Sequence, residues 1–183
     1  MPVQREVAFL RAVNVAGHAV MRVATMRAVF EKAGFQHVRS YIQSGNILLE
    51  SARSDAKALR AAAADGLCRL VGRDVEVIYR DARALERILE LVPSELAADR
   101  TVKLYVAFLA RRPAKALALP FDSSKEGLEV VERAGEDFLI VSRAVKGSYG
   151  FPNPLVERQT GVPATSRNVN TVRKVLELLG ADG

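Results

Sequence analysis

Extended and helical segments follow one another in the same order twice along this chain, and that repetition most limits the folds open to it. Residues 6–13 form an almost unbroken apolar run, the pattern of a buried strand. Met26, Val29, Phe30 and Ala33 then recur at i, i+3, i+4 and i+7, which places them on one face of a helix. Thr25 is its predicted N-cap, and Gly34 falls where the residue after a helix is commonly glycine. Residues 38–42 and 47–49 read as strands on either side of Gln43-Ser44-Gly45-Asn46, a hairpin. Leu59, Ala63, Leu67, Leu70 and Val71 share a second helical face that ends at Gly72. Residues 74–79 alternate as a half-buried strand does, and a further helix through Leu85, Ile88, Leu89 and Val92 is stopped by Pro93. The order β-α-β-β-α-β followed by a helix is that of the split βαβ, or ferredoxin-like, motif.

The pattern restarts at residues 103–110, a strand that shares Val-Ala-Phe-Leu with residues 7–10. A short helix is predicted around 113–118, and a second hairpin has its turn at Ala134-Gly135-Glu136. Asn153 is the predicted cap of a helix with Pro154 at its first position, running to Gly161. An extended piece at 162–165 leads into a last helix from about residue 171, with Val172, Val175, Leu176 and Leu179 on its apolar face. The expected fold class is α+β: duplicated ferredoxin-like (βαββαβ) units packed together, with an additional C-terminal helix. The expected halves are residues 1–93 and 94–183, with no long linker between them.

Bulk properties narrow the function classes. Of 183 residues, 27 are Lys or Arg and 21 are Asp or Glu, a net charge of +6. No block of five or six like charges occurs, so the positive balance reads first as a solvated arginine-rich surface. Such a balance also favours anionic partners. No apolar run approaches the roughly 18–20 residues that span a bilayer, and the N-terminus lacks a secretory pattern, so no membrane association and a cytoplasmic location are expected. One Cys and two His cannot supply a four-ligand Cys/His zinc site, and no metal or other cofactor is expected.

Three stretches carry a resemblance. Val7-Ala8-Phe9-Leu10-Arg11-Ala12-Val13-Asn14-Val15-Ala16-Gly17-His18, Arg39-Ser40-Tyr41-Ile42-Gln43-Ser44-Gly45-Asn46-Ile47 and Gly161-Val162-Pro163-Ala164-Thr165-Ser166-Arg167-Asn168-Val169-Asn170-Thr171-Val172 occur in that order. Together they resemble the bacterial family called domain of unknown function 1697. The resemblance implies a compact α+β protein with two ferredoxin-like halves in the cytoplasm, and brings no established activity with it. The chain departs from the family pattern at Ala12 and Ala16, where glycine is usual, and at Val169, where tryptophan is usual. It also has Ser148-Tyr149-Gly150-Phe151-Pro152-Asn153-Pro154-Leu155 where relatives often show Gly-Arg-Ser-Lys-Leu, so the basic contact which that Arg and Lys would supply is missing.

The residues themselves offer few groups for catalysis. No Gly-x-Ser-x-Gly elbow is present, and the carboxylates are scattered. Cys68 reads as a core-edge helix residue, and His18 in a loop is the better of the two histidines for proton transfer. Lys146-Gly147-Ser148-Tyr149-Gly150 lacks the P-loop ending and reads as a loop. Polar residues gather instead at three turns or strand ends: Arg11 with Asn14; Gln43, Ser44 and Asn46; and Arg167, Asn168 and Asn170. Each set has a structural reading, as turn formers or as the cap of the last helix (Asn170). Each also has a functional one, as donors to a small anion or a partner near a helix N-terminus. The expected function is binding of a small anionic ligand or a partner, with the oligomeric state left open. The alternatives are weak nonspecific nucleic-acid binding through surface arginines and an enzyme acting on an anionic small molecule.

Overall fold

The computed structural model describes residues 3–11, 22–42, 45–115 and 117–180. Asn14, His18, Gln43 and Ser44 lie outside them. The protein is mixed α+β, with two antiparallel sheets and six helices among the described residues. It divides into two compact units, Met1–Ala82 with Glu177–Gly183, and Arg83–Leu176.

In the first unit β1 (Val3–Leu10) is followed by α1 (Val23–Ala33), β2 (Gln36–Tyr41), β3 (Asn46–Ala52), α2 (Ala56–Val71) and β4 (Val77–Asp81). The sheet order is β2-β3-β1-β4. β1 pairs antiparallel with β3, Phe9 opposite Asn46, and with β4, Leu10 opposite Val77. Ala8 and Leu10 point to the side where Met26 and Phe30 of α1 and Ala63 and Leu67 of α2 form the core. Phe30 is fully buried and meets Phe35 with ring centroids 5.9 Å apart. Val7 and Phe9, on the opposite face, are buried too, which is why this strand reads as a continuous apolar run and not an alternating one. The helices end at Gly34 and Gly72, as predicted. α1, however, begins at Val23 with Arg22 in the cap position and no side-chain cap bond, so Thr25 lies inside the first turn and is not the cap.

The second unit opens with α3 (Ala82–Leu89) and α4 (Ser94–Ala98), two helices where one was predicted. It continues with β5 (Val102–Leu109), β6 (Phe121–Ser123), β7 (Leu128–Ala134), β8 (Asp137–Val145), β9 (Ser148–Tyr149), α5 (Pro152–Thr160), β10 (Ala164–Asn168) and α6 (Val169–Gly180), whose residues from Glu177 on belong to the first unit. The sheet order is β10-β5-β8-β7-β6, with β9 paired to β8. No helix forms around 113–118 among the described residues; Leu117 and Leu119 of that segment and Phe121 of β6 pack instead against the core of Ala107, Leu109, Phe138, Leu155 and Val156. The predicted loop at Lys146-Gly147 is a tight β8–β9 turn with both residues at positive φ, 50° and 81°, the geometry that matches strand twist.

Two capping assignments differ from prediction. Phe151 precedes α5, and Asn153 lies inside it, where its Oδ1 accepts from Ser166 Oγ at 2.6 Å. At α6, Asn168 Oδ1 accepts the Asn170 N–H at 2.9 Å, so Asn168 is the cap and Asn170 the second helical residue. In both places an asparagine one or two positions from the true start offered the same chemistry, and strand pairing chose the boundary: β10 runs through Asn168, opposite Tyr105.

Candidate functional site

Of the two polar segments in the first unit, Arg11 and Asn46 lie among the described residues. The Leu10 N–H donates to Gly45 O at 2.9 Å, which sets the exit of β1 against the β2–β3 turn. Arg11, half-buried, continues from there, its own N–H donating to Glu76 O at 2.9 Å. Asn46 is fully buried, and its Nδ2 donates to Tyr41 O at 3.0 Å, closing the hairpin from inside. Arg167, Asn168 and Asn170 belong to the second unit. Arg167 is 9% exposed; its Nη1 donates to Thr165 Oγ1 at 2.8 Å and to Ser166 O at 2.9 Å. Burial pushes its pKa down to about 10. An arginine remains protonated in water at neutral pH, so this shift expresses the cost of desolvating a cation that stays charged.

A second group of side chains was not singled out in the sequence. Arg5, His37, Val38, Arg39 and Glu50 line an open hollow of about 380 Å³ in the first unit. Arg5 and Glu50 are cross-strand partners in the β1–β3 register, and Arg5 Nε donates to Glu50 Oε1 at 3.0 Å. With these side chains about a third and a sixth exposed, solvent screens the pair, which contributes at most about 1 kcal/mol. His37 sits at an irregularity between Gln36 and Arg39 in the β2–β3 pairing, in the left-handed region at φ 47°. His37 and Arg39, two residues apart on β2, both line the depression. Arg39 Nη2 donates to Leu178 O at 3.2 Å near the end of α6, which fixes one edge of the guanidinium. Two guanidiniums and an imidazole thus face one carboxylate. That balance suits an anion, and the volume lies at the lower end of small-ligand sites.

The groups considered for catalysis gain little. Hydrogen bonding to the Asp74 carboxylate, then desolvation, holds the Cys68 thiol above its ordinary pKa, the opposite of an activated nucleophile. Among the described residues no three His, Cys, Asp or Glu side chains gather as metal ligands would, and no helix is long and apolar enough to cross a membrane.

Comparison with solved structures finds a conserved bacterial protein, SP0830 from Streptococcus pneumoniae, at 17% identity and TM-score 0.61, with 97% of this chain and 99% of that chain covered. At that identity the likeness is one of fold. An unknown protein from Galdieria sulphuraria aligns at 17% identity, over 92% of this chain and 99% of that one, with a TM-score of 0.28. No curated protein matches. The model of a family described as "Protein of unknown function (DUF1697)" matches residues 3–138, which takes in the first two of the three resembling stretches and leaves the third, residues 161–172, outside the match. That span is well over half of the chain, and the protein is a member of the DUF1697 family.

Proposed function

We propose that this protein binds a small anion in the cytoplasm, and that the hollow of Arg5, His37 and Arg39 in the first unit holds it. The supporting observation is the composition of that hollow: three nitrogen-rich side chains against the single carboxylate of Glu50, which is already engaged by Arg5. Arg39 presents a fork of donors with one edge fixed, the arrangement that suits a carboxylate or phosphate. The polar residues noted in the sequence are further proposed contacts within their own units. These are Arg11, Asn14, Gln43, Ser44 and Asn46 in the first, and Arg167, Asn168 and Asn170 in the second.

The proposal extends to the fold. Each unit is read as a ferredoxin-like copy, because in both the first strand is internal, flanked on one side by the last strand and on the other by the second strand of the hairpin, β3 in the first unit and β8 in the second. The second copy has β6 and an irregular segment where the first has α1.

The test is thermal unfolding of the full chain with inorganic phosphate, sulfate and citrate. A ligand at a hundredfold its Kd stabilises by about 2.7 kcal/mol. For a chain of this size that raises Tm by roughly 5–10 °C. Phosphate and sulfate stabilise proteins generally by exclusion, so the readout is the difference between the wild type and its variants. The expected result is a concentration-dependent rise that shrinks by more than half in Arg39→Gln and in His37→Gln. An equal rise in wild type and both variants, or no rise with any of the three anions, overturns the proposal.

A further inference from the structure

The second unit carries three aromatic rings and a lysine on the face of its sheet that packs against α5. Lys103 and Tyr105 are two residues apart on β5, hence on the same face. Phe151, just before α5, meets Tyr105 edge to face, with centroids 6.3 Å apart and planes at 83°. Tyr149 of β9 lies beneath Lys103, whose Nζ is 4.2 Å from the ring centroid, and the Tyr149 hydroxyl donates to Thr101 O at 3.1 Å. Four side chains from two chain segments therefore form one patch.

The exposure of this patch is out of keeping with its chemistry. Phe151 is 55% exposed, Lys103 is exposed, and Tyr105 and Tyr149 are half-buried. An apolar residue at the entrance of a helix commonly packs down onto the first turns, whereas here the ring stands in water beside another ring. Asn168 is the direct partner of Tyr105 on β10. Its amide oxygen is engaged at the start of α6, so it has amide N–H groups to offer a ligand lying on Tyr105. A flat aromatic ligand gains by stacking on an exposed ring, an ammonium group beside the rings attracts a phosphate, and an amide can bond the edge of a base. We propose that this patch binds nucleotides, with the base stacked on Phe151 and Tyr105 and the phosphate drawn to Lys103. The site is separate from the anion hollow of the first unit, and its fate in experiment is separate too.

The chemistry is shared by single-stranded nucleic acid and by free mononucleotides, so both are tested with the full-length chain. A fluorescein-labelled 12-nucleotide oligoadenylate is titrated by anisotropy, and AMP by calorimetry, both at low salt. The chain has no Trp and four Tyr, two of them in the patch, so saturable tyrosine quenching gives an independent reading. Binding of the oligomer without AMP assigns the patch to strands, and binding of both assigns it to the nucleotide unit; either supports the proposal. Phe151→Ala, at an exposed position, is expected to weaken binding by about fivefold or more. Lys103→Gln is expected to flatten the salt dependence of oligomer binding by about one phosphate contact. Lys57→Gln, at an exposed position of α2 in the other unit and outside the anion hollow, is expected to leave both unchanged. Absence of binding to either probe overturns the proposal, as does binding that Phe151→Ala and Lys103→Gln leave as tight as in wild type.

Discussion

Glu6 is a carboxylate in the row of β1 that faces the helices, two residues before Ala8 of the apolar core, and it is only 1% exposed. Arg60 of α2 reaches down to it with both Nε, at 3.3 Å from Oε1, and Nη2, which contacts Oε2. The Gln4 side chain adds a bond to Oε2 at 3.2 Å. The guanidinium also lies 4.5 Å from the centre of the Tyr79 ring. The pair is asymmetric, because the Arg60 side chain keeps 37% of its exposure. Arg60→Met therefore leaves a carboxylate under the helix with one neutral donor, and is expected to cost about 3–5 kcal/mol. Glu6→Met leaves a guanidinium that turns to water and keeps its aromatic neighbour, and is expected to cost about 1 kcal/mol, near the centre of ordinary point substitutions. The double variant Glu6→Met with Arg60→Met has no orphaned charge. It is expected to fall within about 1 kcal/mol of Glu6→Met alone, a coupling of about 3–5 kcal/mol between the two sites. Urea unfolding followed by circular dichroism at pH 7 measures all four corners of the cycle. In thermal melts Arg60→Met is expected to lie roughly 10 °C below wild type. Equal losses in the two single variants, or a double variant equal to their sum, would refute the argument that the carboxylate carries the burial cost.

Three further substitutions test the same core and the second sheet. The Tyr79 hydroxyl is buried and has no hydrogen-bond partner among the described residues; burial, and then the nearby Glu6 charge, push the phenol far above its ordinary pKa. Tyr79→Phe removes a desolvated group and no bond, so chemical denaturation is expected to show unchanged stability or a gain of up to about 1 kcal/mol; a loss beyond about 1 kcal/mol would mean that the hydroxyl is bonded. Gly127 and Gly135 both have φ near 60°, but a Cβ on Gly135 meets nothing within 4 Å, whereas one on Gly127 runs into Arg143 O and lies 2.8 Å from Val145 Cγ2. Gly135→Ala is expected to cost about 1–2 kcal/mol for the left-handed backbone alone, and Gly127→Ala about 3 kcal/mol or more because the Arg143 carbonyl, whose residue also donates its N–H to Gly127 O, must shift; equal thermal shifts would show that the β7–β8 region absorbs the methyl freely.

What the sequence revealed and what it hid divide along a physical line. The strands of the first unit, its two helices and their glycine ends were legible because periodicity and helix stops are local properties of a dozen residues. Caps were less legible: Thr25, Asn153 and Asn170 each have the right chemistry one to three positions inside the helix, and only pairing with another strand or the course of the preceding chain decides which residue begins it. The helix expected at 113–118 failed for a related reason. Leu117 and Leu119 do bury against the core, but as part of an irregular segment beside β6, and alternating apolar residues over so short a stretch carry too little period to tell the two apart. The two candidate sites needed more than local pattern. Arg5 meets Glu50 across 45 residues of chain, and His37 and Arg39 of β2 come beside them only through the pairing of β2 with β3. Tyr105 and Phe151 are brought together by the pairing of β5 with β8 and the tight turn from β8 into β9. Register is fixed by which apolar faces must be buried, so the polar groups between them travel as passengers and converge at places that no single segment specifies. A charged or aromatic group in a strand therefore acquires functional meaning only once its cross-strand neighbour is known. For the same reason local chemistry already accounts for Asn46 and Asn168 among the polar residues read from the sequence, while the hollow and the aromatic patch arose from residues that looked ordinary in isolation.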